Sequence, residues 1–301
     1  MALTPCSTKT DQRGMELKQH GTGLFPIACY YDDLLREDVP WHWHTELEVG
    51  VVTEGTAVIA AGNERFPVKQ GDGFFINSGV LHAMWNQDGL GCRFHSAVFH
   101  PRLVGGGADS IFWQNYIQPL VTDETRHSIH FTPAQPWHRQ ALEAVERAWE
   151  SCVEEPPGYD LQVRGALSQL AFLLAQNRSA AVGPPPGRAP RDEERVKKML
   201  RFIQENYAAE IHTAAIAGSA AISESECLRC FRNTIGVPPI QYLRQFRIQK
   251  AAELLRSGTE GVAETGALCG FQDASYFTKV FREMKGCTPS EYRRRGADPA
   301  P

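Results

Sequence analysis

Three histidines and one glutamate stand at spacings that suit a shared site: His42, His44, Glu48 and His82. His42 and His44 are two residues apart, and side chains two apart on a β-strand project from the same face. Three imidazole nitrogens and one carboxylate that converge inside a barrel hold a divalent metal with open coordination positions. Such a donor set suits zinc, iron, nickel or manganese.

Two further interpretations of these four residues stay open. In one, the cluster is a metal-free polar pocket that binds a small effector through hydrogen bonds; in the other, it is a purely structural cluster. A ligand cavity is mostly apolar with a few polar groups, so nearby aromatic residues are candidates for its wall, although aromatic residues on strands also form core. These candidates are Trp41, Trp43, Phe75 and Trp85.

The chain around the cluster has the pattern of short strands. Apolar runs at 48–52, 56–60 and 73–76 alternate with glycines, which mark turns. Many short strands at this spacing indicate a barrel or a sandwich. We therefore predict a β-barrel over residues 23–132, preceded by an N-terminal tail at residues 1–22.

After Pro136 the apolar period becomes helical, and two helices are predicted at about 137–153 and 161–177. In the second, Leu167, Leu170, Ala171 and Leu174 fall on one face. This stripe packs on the barrel in one interpretation, and in a sharper one it also forms a subunit interface. We expect residues 133–180 to form a helical pair that makes a homodimer contact, which Leu170→Glu would weaken.

Residues 181–194 are rich in proline and glycine at their start and are predicted to be a linker. Beyond it, residues 195–295 carry 16 Lys+Arg against 10 Asp+Glu, a net charge of +6, whereas residues 1–190 carry 14 against 21, a net charge of −7. A basic C-terminal third suits a polyanion, because cations that neutralise phosphates release counterions. Residues 296–301 form a C-terminal tail.

Six residues of the C-terminal third recur at an offset of fifty, which indicates an internal repeat. Phe231, Arg232, Gly236, Pro239, Tyr242 and Arg244 return as Phe281, Arg282, Gly286, Pro289, Tyr292 and Arg294. Each copy predicts a helix, a tight turn and a second helix, which opens at Ser223 or Asp273, both N-cap types. Gly270 permits the turn of the second copy.

A helix that is opened by a polar cap and carries polar and basic residues outward fits the major groove of B-DNA. The candidates for contact with double-stranded operator DNA are therefore Ser223, Ser225, Glu226, Arg229 and Arg232 in the first copy, and Gln272, Asp273, Ser275, Tyr276, Lys279 and Arg282 in the second. An amphipathic helix at 240–255 separates the copies, so that both reach successive grooves about 34 Å apart. Cys227 and Cys230 form a CxxC without a second ligand pair, and we expect core residues there rather than a zinc site.

The stretch 270–277, GFQDASYF, continued by Phe281-Arg282, Gly286 and Thr288-Pro289, resembles the signature of the AraC/XylS transcription regulators. The first copy, at 216–239, is similar to the first helix-turn-helix of that family. The resemblance covers residues 195–295 and implies a sequence-specific DNA-binding transcription regulator. The chain departs from the pattern where Cys227 and Cys230 replace the usual leucines, and where Glu224 and Glu226 stand at the front of the first recognition helix.

The histidine cluster resembles the two motifs of the cupin fold, His-x-His-x3-Glu-x6-Gly and Gly-x5-Pro-x-Gly-x2-His-x3-Asn, over about residues 40–90. Asn77 stands where the second motif has proline. The resemblance implies a jelly-roll-like barrel. Cupins include metal enzymes as well as effector-sensing modules fused to AraC-type DNA-binding domains, and the fold alone does not decide between them.

Together these patterns predict an α+β multidomain protein: a cupin barrel with a helical pair, then an all-α domain with two helix-turn-helix motifs. The predicted function is a transcription regulator, not an enzyme, that binds operator DNA and responds to a small-molecule effector in the barrel. RNA polymerase is a further partner if the protein activates transcription. The alternative is a metal-dependent cupin enzyme, such as a dioxygenase or isomerase, tethered to a DNA-binding domain. In a third class the metal ion is itself the signal.

Composition agrees with this picture, with 42% hydrophobic and 22% charged residues, which are ordinary values for a globular protein. The first twenty residues contain charges and lack the apolar core of a signal peptide, and no apolar run is long enough for a membrane span. The eight cysteines are scattered without a disulfide-like framework. We therefore expect a cytoplasmic protein with no membrane partner.

Overall fold

The computed structural model describes residues 20–36, 38–86, 89, 91–178 and 188–297. The chain separates into two compact units between residues 190 and 191. Most of the predicted N-terminal tail, the first part of the predicted linker at 181–187 and most of the C-terminal tail lie outside the described residues.

Antiparallel strands build the N-terminal unit, as predicted. The described strands are β1 (Ile27–Asp33), β2 (Val39–His42), β3 (Leu47–Ala61), β4 (Glu64–Lys69), β5 (Gly73–Ile76), β6 (His82–Trp85), β7 (Cys92–Phe99) and β8 (Ser128–Phe131). Five of them follow the order β1-β7-β3-β5-β8, while β4 and β6 pair with β3, and β2 pairs with β6. The second half of β3 therefore pairs with a second group of strands. Apolar residues of both groups pack together in one core between them.

Strand β3 corrects one expectation. The runs at 48–52 and 56–60 belong to one strand of 15 residues, not to two. Its first half pairs with β5 and β7, its second half with β4 and β6, and the register shifts between Val52 and Glu54. Gly55 follows with a φ of 73°, and a Cβ there would collide with the carbonyl oxygen of Gly91. This glycine marks a bend within a strand rather than a turn between two strands.

Two short helices, α1 (Arg102–Gly105) and α2 (Gln118–Val121), follow β7, and the predicted helical pair follows β8 as α3 (Pro136–Glu154) and α4 (Tyr159–Gln176). The apolar stripe of α4 packs in one core with strand residues such as Val49 and Phe75. Leu170 is buried in that core, so Leu170→Glu would report on folding rather than on a subunit contact.

The C-terminal unit is helical in its described part. Its helices are α5 (Arg188–Asn206), α6 (Thr213–Ser219), α7 (Glu224–Thr234), α8 (Pro239–Ser257), α9 (Val262–Leu268), α10 (Ala274–Lys285) and α11 (Pro289–Ala297). Because α5 begins at Arg188, residues 188–194 of the predicted linker are helical.

The offset of fifty corresponds to two helix-turn-helix pairs, α6–α7 and α9–α10, on either side of α8. Phe231 and Phe281 are both fully buried. Gly236 and Gly286 both end their helices with positive φ, at 90° and 70°. The repeated phenylalanines and glycines therefore fix the core and the backbone of each pair.

Candidate functional site

The structure brings together the four residues predicted for the N-terminal site. His42 ends β2, His44 follows it, Glu48 lies on β3 and His82 begins β6 opposite His42. One ligand atom from each lies within 4.8 Å of the others. The three imidazoles are almost completely buried, so the cluster is an interior feature of the strand domain.

The carboxylate of Glu48 lies at the centre of the cluster. One of its oxygens is 3.1 Å from Nε2 of His82 and 3.4 Å from Nε2 of His44. Burial alone would raise the pKa of Glu48, but its interactions with His44 and His82 hold this pKa well below its ordinary value. Glu48 therefore stays an anion.

Backbone carbonyls fix the orientation of all three rings through Nδ1. Nδ1 of His42 is 2.8 Å from the carbonyl oxygen of Pro40, and Nδ1 of His82 is 2.8 Å from that of Val80. Nδ1 of His44 is 3.2 Å from the carbonyl oxygen of Glu46. A carbonyl oxygen only accepts, so each Nδ1 carries the proton and Nε2 is the atom of each neutral ring that can bind an ion. Metal-binding histidines are commonly held in this way.

Nε2 of His44 is buried and makes no hydrogen bond of good geometry within the described part of the chain. With no ion bound, the 3.1 Å contact between Nε2 of His82 and the carboxylate of Glu48 requires a proton on that nitrogen, because a carboxylate only accepts. A divalent cation would take the place of this proton, with the nitrogen and the carboxylate both as ligands. The donor set therefore fits a divalent metal, with His42, His44, Glu48 and His82 as the residues that would hold it.

The four aromatic residues predicted to line the pocket do not share the face of the histidine cluster. Successive side chains of a strand point to opposite faces, and each of the four aromatic residues is out of phase with the cluster. Trp41 and Trp43 flank His42, and Phe75 packs in the core shared with α3 and α4. Trp85 is three residues from His82 and lies under the guanidinium of Arg65. The interior face beside the cluster is instead lined by Val52, Ile59, Ile76, Met84 and Phe94.

In the C-terminal unit, α10 presents the predicted DNA-contacting face. Its buried side packs through Phe277, Val280 and Phe281. The side chain of Asp273 accepts a hydrogen bond of 2.6 Å from the backbone of Tyr276, so Asp273 is the N-cap. All six predicted residues are exposed, namely Gln272, Asp273, Ser275, Tyr276, Lys279 and Arg282.

Comparison with known proteins agrees with both halves of this geometry. Residues 24–171 match the model of the AraC-like ligand binding domain, and residues 216–295 match a helix-turn-helix domain. The chain belongs to the AraC family of transcription regulators.

Full-length relatives are similar over most of this AraC-family regulator. The HTH-type transcriptional regulator YdeC of Bacillus subtilis (strain 168) is 27% identical over 94% of this chain and 97% of its own length. The HTH-type transcriptional activator RhaR of Pectobacterium carotovorum is 25% identical, over 85% of this chain and 86% of its own. The crystal structure of ToxT from Vibrio cholerae has a TM-score of 0.44 at 11% identity, covering 91% of this chain and 98% of that one.

The first recognition helix of this AraC-family chain, α7, differs from α10. Ser223 is its N-cap, accepting from the backbone of Glu226 at 3.3 Å, and Ser223, Ser225 and Arg232 are exposed as predicted. Glu226 and Arg229 are engaged within the protein, and this corrects the expected free face. Arg229 donates at 2.9 and 3.0 Å to the two carboxylate oxygens of Asp192, near the start of α5.

Glu226 completes this network on α7. It accepts from Arg229 at 2.9 Å and from Arg195 of α5 at 3.0 Å. Burial alone would raise the pKa of Asp192, but hydrogen bonds from Arg229 and Cys230 hold it below its ordinary value. Arg229 and Glu226 therefore hold α7 to α5, and they would have to exchange these bonds before touching DNA.

Asp192, Glu226 and Cys230 also bring three ligand atoms within 4.8 Å of one another. Two guanidinium groups already neutralise these carboxylates, so the group does not need a cation. Cys227 and Cys230 are fully buried, and burial raises the pKa of Cys227 to about 11. Both side chains pack in the core, and the expectation of core residues is confirmed.

The sequence reasoning missed two residues at the N-terminal cluster. His20 is buried and its ring centre is 5.5 Å from that of His44. Its Nδ1 is 2.7 Å from the hydroxyl of Tyr30 on β1. Neither residue belongs to the motif spacing, and no local pattern marks either of them.

The described residues include no helix long and apolar enough to cross a membrane.

Proposed function

We propose that this AraC-family regulator senses its signal at the cluster of His42, His44, Glu48 and His82, which binds a divalent metal and, at an open position of that ion, a small-molecule effector. The observation that carries the proposal is the common orientation of the three imidazoles, each tied through Nδ1 to a backbone carbonyl. When bound, the ion supplies a Lewis-acid position for an oxygen or nitrogen donor of the effector. The buried carboxylate of Glu48 supplies the negative charge that such an ion needs.

A continuous set of hydrogen bonds links the cluster to the end of the N-terminal unit. The loop before His82 begins at Asn77, whose side-chain amide donates to the carbonyls of Leu120 and Arg126 at 2.8 and 3.0 Å. The guanidinium of Arg126 in turn donates to the carbonyls of Leu174 and Asn177 at 2.8 and 3.1 Å, at the end of α4. A change at His82 can thus reach the last turn of the helix that precedes the DNA-binding unit.

Signalling then requires a population shift. The bound state must favour one arrangement of the chain over another, because equal affinity for both shifts nothing.

Removing the metal is expected to change DNA affinity. We expect chelator-treated protein and the His82→Gln variant to bind DNA with the same affinity, which differs from that of metal-loaded wild type by about 5- to 150-fold, the usual range of coupling between sites. Fluorescence anisotropy with labelled operator DNA measures this, beside metal analysis of the purified protein. His212→Gln, at an exposed histidine of the other unit, is the matched control. Equal DNA affinity in all four samples would contradict the proposal.

We further propose that α10 carries most of the direct base readout. Gln272→Ala should reduce discrimination at one base position by about 1–3 kcal/mol, because glutamine pairs with adenine through two hydrogen bonds. Lys279→Ala should weaken binding to all sequences and lower the salt slope by about 1 if it contacts phosphate. Lys198→Ala, on α5, controls for the loss of charge. If neither Gln272→Ala nor Lys279→Ala alters DNA binding, α10 is not the helix that contacts the bases.

We also propose a cytoplasmic homodimer formed through α3 and α4, which contacts RNA polymerase if it activates transcription. The exposed apolar side chains Leu161 and Phe172 on α4 support the dimer. A monomeric mass measured by light scattering would contradict the dimer.

The second candidate function, a cupin dioxygenase or isomerase, rests on the intact set of three histidines and one glutamate. Turnover by the metal-loaded protein would promote it.

A further inference from the structure

His20 precedes β1, which begins at Ile27. It is 4% exposed. Its ring centre is 5.5 Å from that of His44, as close as the 5.6 Å between His42 and His44, which both belong to the cluster. Two imidazoles that share one ion have ring centres roughly 4.5–5.5 Å apart, given metal–nitrogen bonds near 2.1 Å. His20 therefore lies at the distance of a neighbouring ligand.

The hydroxyl of Tyr30 holds the ring of His20 through Nδ1 at 2.7 Å. This is the same ring atom that backbone carbonyls hold in His42, His44 and His82. Tyr30 is itself buried, and the register places it two residues along β1 from Ala28, which lies in one row with Val98 and Glu48. Since strand residues two apart share a face, Tyr30 and Glu48 project from the same face of the sheet.

We infer that His20 is a fifth protein ligand of the metal centre and that Tyr30 orients it, an inference that rests on the proposed function. His20 stands beside the four residues whose ligand atoms lie within 4.8 Å of one another, next to His44. Its engagement fixes the segment that precedes β1.

A centre of four imidazoles and one carboxylate selects among ions. Imidazole suits zinc, copper, iron and nickel, whereas a site for magnesium or calcium is built from oxygen donors. Five protein ligands leave one position of a six-coordinate ion for an outside molecule. Such a nearly closed centre suits a sensor that reports on one small donor ligand better than a catalytic site, which keeps its positions open.

The test uses the full chain, stripped of metal and titrated with Co²⁺ alone. We expect wild type to bind one Co²⁺ per chain, and His20→Gln to bind it about 10- to 100-fold more weakly, with visible absorption bands shifted by the loss of a nitrogen ligand. Tyr30→Phe should weaken binding about 10-fold with the bands in place. His212→Gln should match wild type in both measurements. Competition with a chromophoric chelator gives the affinities.

A second measurement needs no variant, so it stands even if His20→Gln does not fold. In the proton NMR spectrum of the Co²⁺-loaded wild type, four ligating imidazoles give four strongly shifted, exchangeable ring N–H signals. Three such signals, or a His20→Gln variant with wild-type affinity and bands, would overturn the inference and leave the proposed metal site standing. Wild type that binds no Co²⁺ would overturn both.

Discussion

Replacing Gly270 with alanine is expected to destabilise the C-terminal unit by about 2–4 kcal/mol. Gly270 has a φ of 82°, where an L residue is strained by about 1–2 kcal/mol. A Cβ there would also lie 2.7 Å from the carbonyl oxygen of Tyr207 and 2.9 Å from that of Ala208. Backbone atoms cannot rotate away, so the turn between α9 and α10 has to shift.

Gly286→Ala is the matched control, because Gly286 has a φ of 70° and no atom within 4 Å of an added Cβ. It should cost only the conformational strain, about 1–2 kcal/mol. All the tryptophans of the chain lie before residue 190, so tryptophan fluorescence follows the N-terminal unit alone. The loss should appear in the helical circular dichroism transition and leave the fluorescence transition in place. Equal losses for the two variants would show that the close carbonyls do not matter.

Restoring the usual proline of the cupin motif at position 77 is expected to destabilise the N-terminal unit by about 3–5 kcal/mol, the opposite of what the motif suggests. The side-chain amide of Asn77 donates to the carbonyls of Leu120 and Arg126, and its backbone N–H donates to the carbonyl of His127 at 2.9 Å. Proline supplies none of these donors. Each buried acceptor left without a partner costs about 1–3 kcal/mol.

Asn77→Ala separates the two contributions, since it keeps the backbone N–H and loses only the amide. We expect it to cost about 2–3 kcal/mol, between wild type and Asn77→Pro. Urea unfolding followed by tryptophan fluorescence measures all three proteins. An Asn77→Pro protein as stable as wild type would mean that the loop reaches Leu120 and Arg126 by other bonds.

Much of the C-terminal unit could be predicted because its information is local. The caps Ser223 and Asp273 and the glycines at 236 and 286 act within one or two turns of their own helices. The same local signals recur fifty residues later, and this repetition strengthens the prediction. The histidine cluster was predictable for the same reason, since fixed spacings on strands determine the face of each side chain.

What the sequence could not supply depends on partners far along the chain. Nothing near Arg229 shows that Asp192, 37 residues earlier, would bind it, or that Tyr30 would hold His20. The aromatic wall is a different failure, because the strand period that grouped His42 with His44 also places Trp41 and Trp43 on the other face. The bend at Gly55 was misread because glycine between two apolar runs usually marks a turn.

The bonds between Arg229 and Asp192 have a consequence for the promoter. The exposed side chains of α10 can contact bases directly, whereas Arg229 and Glu226 of α7 are already bonded to α5. The two helices therefore require different degrees of sequence definition in the DNA. Sites recognised by this regulator should show a strictly defined sequence under α10 and a variable one under α7, where shape and phosphate spacing matter more than base identity.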